Sequence, residues 1–308
     1  MQAKILKGNE GSYLFFPEEK SSIISKSNYS IVYLTAKTDS KEKFVCKQFL
    51  PLLTPNQSAR LKFFIETNIR LEHKGIAKIV DFIIEDGQVF IIQEYIYGLS
   101  LKDLIKSREY FDYRYNYFFY RIIAKFLDIL SYFHSQNLCL CDVKPSNIMV
   151  CTSEDLEIDL KDPEVKLIDI ELVKPSFKQA IPNYGGKSFS LMYASPEQIL
   201  GFEELVGEHS DIFSTGLILY EAIAKETALN TSNPMFVKKI QTSVKLQKHY
   251  RFDEDLFKII AKACVKPSFS LINKEQSEEE IKLAIIKSLS NRFQSAENFK
   301  TEILKLIL

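Results

Sequence analysis

Short apolar runs of strand length open the chain. Residues 31–36 (IVYLTA), 44–50 (FVCKQFL), 78–84 (KIVDFII) and 88–95 (QVFIIQEY) are rich in β-branched and aromatic side chains. Polar turn-formers such as TDSKEK and EDGQ separate them, which predicts antiparallel strands joined by tight loops. Residues 3–16 add a predicted hairpin with GNEG as its turn. One amphipathic helical stretch, roughly residues 55–72, interrupts the strands.

After Gly98 the period changes. Residues 100–107, 112–136, 210–226, 234–245, 254–264, 278–289 and 295–307 carry apolar side chains three and four positions apart, which predicts helices. Two short strands are expected near 148–152 and 165–169, early in this helical part. The predicted plan is an α+β chain, with a β-rich lobe over residues 1–97 and a helical lobe over 98–308. No internal repeat or low-complexity linker interrupts it.

Composition narrows the classes. Of 308 residues, 46% are hydrophobic, enough for a large core. Lys plus Arg and Asp plus Glu are 40 each, and no long basic run appears, so neither nucleic acid nor a membrane surface is an expected partner. No stretch reaches the ~20 apolar residues that a membrane helix needs. The opening residues MQAKILKGNEGSYLFF lack the layout of a signal peptide. Five scattered cysteines without a CxxC pair predict reduced thiols and a cytoplasmic setting. Four histidines without HExxH make a zinc site a poor expectation. Cys139, Cys141 and Cys151 read as buried strand thiols for want of a convergent fourth ligand. The acidic run 153–164 reads as a solvated loop, and the Tyr/Phe cluster 110–120 as core and flank of a helix.

Candidate chemistry concentrates in CDVKPSNIM, residues 141–149. Asp142, Lys144 and Asn147 stand at the spacing D-x-K-x-x-N between two apolar strand-like runs. Downstream, VKLIDIE places Asp169 at the end of another. Phosphoryl transfer needs carboxylate and amide oxygens for a metal ion, a lysine to offset phosphate charge, and a carboxylate to orient the attacking hydroxyl. Asn147 and Asp169 suit the metal, Asp142 the hydroxyl and Lys144 the phosphoryl group. Each alone reads better as a solvated loop residue. The ordered set carries the reading.

These motifs resemble the catalytic-loop and metal-loop pair of the protein kinase superfamily, in particular the eukaryotic-like Ser/Thr kinases. The resemblance runs in family order from about Ile23 to Phe299. It implies a bilobal protein kinase-like fold, ATP with Mg²⁺ or Mn²⁺ as cofactors, and a protein substrate. FVCK makes Lys47 the phosphate-binding lysine. IIQEYIYGLSLKDLI resembles the hinge, with Gln93 at the back of the adenine pocket and Glu94 and Ile96 offering backbone hydrogen bonds. Ile24, Val32, Val45 and Met149 would complete that pocket. YASPEQ resembles the end of the activation segment, with Glu197 paired to Arg292. SDIFSTGLILYE makes Asp211 the brace of the catalytic loop. Lys144 and Ser190 match the Ser/Thr pattern rather than the tyrosine one.

The chain departs from the family pattern in five places. Ser25, Ser27 and Ser30 occupy the three positions of the glycine-rich phosphate loop, which predicts a stiffer approach to phosphate. Val45 replaces the usual alanine, narrowing the adenine pocket. Leu140 and Cys141 replace the His-Arg before the aspartate, which argues against control by activation-segment phosphorylation. The metal-loop triplet reads Asp169-Ile170-Glu171. The helix glutamate that would pair with Lys47 falls on Phe64 by family spacing, while Glu66 is the nearest acid. The reading favours Glu66 and leaves an absent pair open. Three functions stay open in turn: an active Ser/Thr kinase, a pseudokinase scaffold, and a small-molecule kinase of the aminoglycoside-phosphotransferase sort. SPEQ, Arg292 and Lys144 argue against the last.

Overall fold

In the computed structural model, the structure describes residues 3–27, 30–49, 67, 70–110, 112–153, 157–170, 173–175, 189–229, 231, 233–268 and 277–307. Most of the predicted helix over 55–72, with Phe64 and Glu66, lies outside the described residues, as does Glu171; of its described positions, Thr67 is helical and 70–72 are not. The chain divides into two compact units, Met1–Tyr97 and Gly98–Leu308.

Among its described residues, the first unit is built around one antiparallel sheet. Its strands are β1 (Lys4–Lys7), β2 (Ser12–Phe15), β3 (Ile23–Lys26), β4 (Ser30–Lys37), β5 (Lys43–Phe49), β6 (Ile79–Glu85) and β7 (Gln88–Glu94). They lie in the order β1-β2-β4-β5-β7-β6, with β3 paired to β4. Alternation splits the sheet's side chains between two faces. Leu6, Tyr13, Phe15, Tyr33, Phe44, Cys46, Phe90 and Ile92 form the core on one of them. Edge-to-face rings fill it, with Phe15 4.6 Å from Tyr33 and 5.9 Å from Phe90. Val45 and Lys47 alternate with Phe44 and Cys46, so they belong to the opposite face.

The hairpin of β1 and β2 is tied to β6, at the other end of the strand order. The carboxylate of Asp81 accepts the Asn9 and Glu10 amides of its turn at 3.1 and 2.8 Å, and the Tyr13 hydroxyl at 3.2 Å. Burial, then the charge of Asp81, holds the Tyr13 hydroxyl well above its usual value. Gly8 is required here, because an added Cβ would fall 2.0 Å from Asp81 Oδ2. Lys4 pairs with Glu85 at 2.7 Å.

The second unit contains α1 (Leu101–Lys106), α2 (Asn116–Ser135), α3 (Pro196–Leu200), α4 (Glu208–Ala224), α5 (Pro234–Ser243), α6 (Glu254–Ala263), α7 (Glu278–Asn291) and α8 (Ala296–Lys305). Caps set their starts: Ser100, Asn233, Asp253, Ser277 and Ser295 each accept a first-turn amide with their side chains. One face of α2 buries Phe119, Ile122, Ile123, Phe126, Leu130 and Phe133. Helix α4 is buried from Ser210 to Ala224 and forms the centre of the unit. Its Gly216 admits α6 closely, since a Cβ there would sit 2.6 Å from Cys264 Sγ.

Short strands frame the loops that carry the chemistry. β8 (Gly98–Ser100), β10 (Ile148–Cys151) and β11 (Val165–Leu167) form one antiparallel sheet in the order β11-β10-β8. β9 (Leu138–Cys139) pairs with β12 (Lys174–Pro175). Among the described residues, no helix is long and apolar enough to cross a membrane.

Candidate active site

In the first unit, sheet register gathers one group of expected residues. Val32 is paired with Lys47, Val45 with Gln93 and Lys47 with Ile91, so these side chains share one face. The Lys47 ammonium lies over the Phe49 ring, 5.8 Å from its centroid. Gln93 donates from Nε2 to the Ala77 carbonyl at 3.1 Å. The Glu94 amide donates to Lys78 O at 2.9 Å, and its side chain accepts the Lys78 amide at 2.8 Å. Ile24 is exposed on β3 beside a bulge, and Ser25 is paired with Val32.

Serine changes the turn between β3 and β4. The Ser27 amide donates to Ser30 O at 2.9 Å, and Ser27 Oγ accepts the Ser30 amide at 3.0 Å. A glycine at position 27 would lack that second acceptor. Neither Ser25 nor Ser27 is among the residues with positive φ. The backbone there does not demand glycine.

In the second unit, β9 leads into the loop of Asp142, Lys144 and Asn147. Asp211, one per cent exposed, anchors its start. It accepts the Leu140 amide on Oδ2 at 2.8 Å and the Cys141 amide on Oδ1 at 2.9 Å, and His134 Nε2 lies 3.1 Å from Oδ2. Cys141 takes a positive φ of 64°, an unusual conformation for a residue with a side chain. From α3, Gln198 Nε2 donates to the Cys141 carbonyl at 2.7 Å. Cys141, the residue before Asp142, is thus held at both its amide and its carbonyl.

The Asp142 carboxylate is itself positioned. Lys144 Nζ lies 2.5 Å from Oδ2, and the Ser190 backbone amide donates to Oδ1 at 2.7 Å. Ser190 therefore reaches Asp142 through its main chain. Asn147 is buried, and its Nδ2 donates to the Asp142 carbonyl at 3.4 Å. The Asn147 carbonyl accepts the Ile168 amide at 2.9 Å, which brings Asp169 to the same end of the β10–β11 hairpin. Strand β11 ends at Leu167, two residues earlier than predicted, and Asp169 has φ 63°. A left-handed residue cannot continue the strand. Ile170 is buried, and Met149 sits on β10 opposite Lys166 and Ser100.

The segment after Ser190 is fixed to the helices behind it. Tyr193 donates to Glu221 Oε2 at 2.6 Å, Ser214 Oγ to Tyr193 O at 2.8 Å, and Gln241 Nε2 to Met192 O at 3.0 Å. Burial raises the Glu221 carboxyl above its ordinary value against the opposing Tyr193 hydrogen bond. Glu197 and Arg292 form a bidentate, fully buried pair. Burial alone would raise the Glu197 carboxyl. The Arg292 charge and the hydrogen bonds from Arg292 and Ser210 overcome it, so the group lies below its ordinary value.

A family model described as the protein kinase domain matches residues 19–295. This chain belongs to the protein kinase family. Its fold is the bilobal kinase fold, with a β-rich N-terminal and a helical C-terminal lobe. Similar proteins include probable serine/threonine-protein kinases of Clostridium perfringens and Clostridium acetobutylicum, each 28% identical over 68% of this chain. Calcium-dependent protein kinase 4 of Plasmodium berghei is 28% identical over 71% of it. The matches span 29% and 30% of the two clostridial proteins and 38% of the third.

Several positioning contacts of this kinase domain had no signal in the sequence. Gln198, His134 and the Tyr193–Glu221 pair lie far in sequence from what they hold, and each residue type alone is unremarkable. The family motif named Asp211. The second amide that its carboxylate accepts is visible only in three dimensions.

Proposed function

We propose that this kinase domain is an active Ser/Thr protein kinase, transferring the γ-phosphate of ATP to serine or threonine hydroxyls of a protein. The observation that carries the reading is the Asp142 carboxylate, held by Lys144 on one oxygen and by the Ser190 amide on the other. So held, Asp142 orients the incoming hydroxyl and accepts its proton as the oxygen bonds to phosphorus. Lys144 offsets negative charge on the phosphoryl group, and Lys47 steadies the remaining phosphates. Asn147 and Asp169 offer one amide and one carboxylate oxygen, hard donors that would hold Mg²⁺. Bound there, Mg²⁺–ATP supplies the phosphoryl group with its charge partly neutralised.

The relatives' names support the Ser/Thr assignment, as do Lys144 and Ser190 at the positions of that pattern. A cytoplasmic, reducing setting belongs to the same reading, supported by five free thiols. A nucleotide-binding pseudokinase is the second reading. It is favoured by one observation: the Ser27 hydroxyl takes the Ser30 amide, a donor of the expected phosphate loop. Incubation with labelled ATP and Mg²⁺ or Mn²⁺, followed by phosphoamino-acid analysis, separates the two. Label on serine or threonine supports the kinase. Label on tyrosine alone contradicts the Ser/Thr assignment, and no label with nucleotide bound supports the scaffold.

A further inference from the structure

Two thiols lie against the catalytic loop and take no part in the chemistry above. Cys139 ends β9, and Cys141 follows one residue later, directly before Asp142. Their sulfurs are 3.4 Å apart. A disulfide needs about 2.05 Å, so closure asks the two sulfurs to approach by a further ~1.4 Å. The pair is enclosed on the side of β12, where Cys139 Sγ meets the Lys174 carbonyl at 3.5 Å. Cys139 is fully buried and Cys141 half-buried, so an oxidant meets Cys141 first.

We propose that Cys139 and Cys141 are a redox-active dithiol, which hydrogen peroxide closes to a disulfide that pulls the catalytic loop off its anchors. The Cys141 thiolate attacks one peroxide oxygen, breaking the O–O bond, giving a sulfenic acid and releasing hydroxide, which takes up a proton as water. The Cys139 sulfur then attacks the Cys141 sulfur and expels the sulfenic oxygen as a second water. Two thiols and one peroxide become one disulfide and two waters, with two electrons passing from sulfur to oxygen. The hydrogen bond with Cys139, followed by burial, holds the Cys141 thiol well above its ordinary value, so attack is slow in the resting loop. Sustained peroxide, rather than a brief pulse, is the effective stimulus.

The consequence follows from what the same residue's backbone does. The Cys141 amide is held by Asp211 and its carbonyl by Gln198, at φ 64°. A ring with a single intervening residue draws the two Cβ atoms together and cannot keep both anchors. Asp142 is the next residue and moves with them. Such a tight ring is strained, and strained disulfides are readily reduced, so the change reverses.

The effect on turnover rests on the role proposed for Asp142, whereas disulfide formation does not. The reduced chain is treated with hydrogen peroxide, blocked with an alkylating agent and mapped by non-reducing mass spectrometry. The expected product is a Cys139–Cys141 peptide lighter by two hydrogens, restored by dithiothreitol, with a lowered melting temperature in the oxidised chain. Turnover falls on the order of 100-fold with the oxidised fraction, as for an ångström-scale misplacement, and returns on reduction. In Cys139→Ala both the mass loss and the reversible inactivation disappear. The proposal is overturned if Cys141 advances to sulfinic acid with no disulfide, or if the pair stays reduced while the unfolded chain oxidises. It is equally overturned if the disulfide form keeps the melting curve of the reduced one. A reduced chain without turnover would count against the kinase reading alone, because mass and melting still judge the dithiol.

Discussion

Arg292 meets Glu197 with both ends of its guanidinium, Nη1 on Oε1 at 2.8 Å and Nη2 on Oε2 at 3.0 Å, with both side chains fully buried. Two further donors of Arg292 are used, Nε by Val265 O and the second Nη1 hydrogen by His209 O. Removing one partner strands a buried charge, which costs about 3–5 kcal/mol. Arg292→Ala is therefore expected to unfold at much lower urea concentration, and Arg292→Lys to recover only part of the loss. Urea denaturation followed by circular dichroism checks this, and an unshifted midpoint would contradict it.

The same pair gives a pH dependence with a defined sign. The Glu197 carboxyl has a lower pKa in the folded chain than its ordinary value. Its contribution to stability is present in full above the unfolded value, near 4.3, and is lost as pH falls through the lower folded value. Glu197→Gln should flatten the acid limb of a stability-against-pH curve while lowering stability at neutral pH. Equal acid-limb slopes in the two proteins would show that Glu197 is not held this way.

Much of the fold was legible because its signals are local. The runs at 31–36, 44–50, 78–84 and 88–95 correspond to β4, β5, β6 and β7 within a residue or two, since alternation and turn chemistry both act over short range. Helix α2 starts at Asn116, later than the predicted 112, because Asp112 instead caps a short 3₁₀ turn over Tyr113–Tyr115. Strands β8, β9 and β12, and the five-residue α3, carry too few residues for any period and exist through their partners. The motif residues could be named from spacing. What holds them could not, since the Asp211 and Gln198 contacts to the loop span 70 and 57 residues.

The serine-substituted loop yields a test of which backbone donors matter. Ser27 Oγ accepts the Ser30 amide at 3.0 Å. Ser27→Ala removes that acceptor and leaves the Ser27 amide to Ser30 carbonyl bond in place. If the Ser30 amide serves phosphate, Ser27→Ala should tighten ATP binding by up to ~5-fold, the worth of about one net hydrogen bond. Ser27→Gly should gain less, because glycine adds up to ~1 kcal/mol of loop entropy to be lost. Nucleotide titration checks both. Weaker binding in both variants would instead assign the Ser27 hydroxyl itself to the phosphates.

The central claim is that Asp142 orients and deprotonates a substrate hydroxyl while other residues hold the nucleotide. Asp142→Asn keeps shape and accepts a hydrogen bond on one atom, but it cannot take a proton at neutral pH. The decisive measurement compares parent and Asp142→Asn for Mg²⁺-dependent transfer of labelled phosphate from ATP, alongside ATP affinity by titration. The account predicts a loss of turnover of at least ~100-fold with ATP affinity changed by no more than a few-fold. Turnover near the parental level in Asp142→Asn would contradict it.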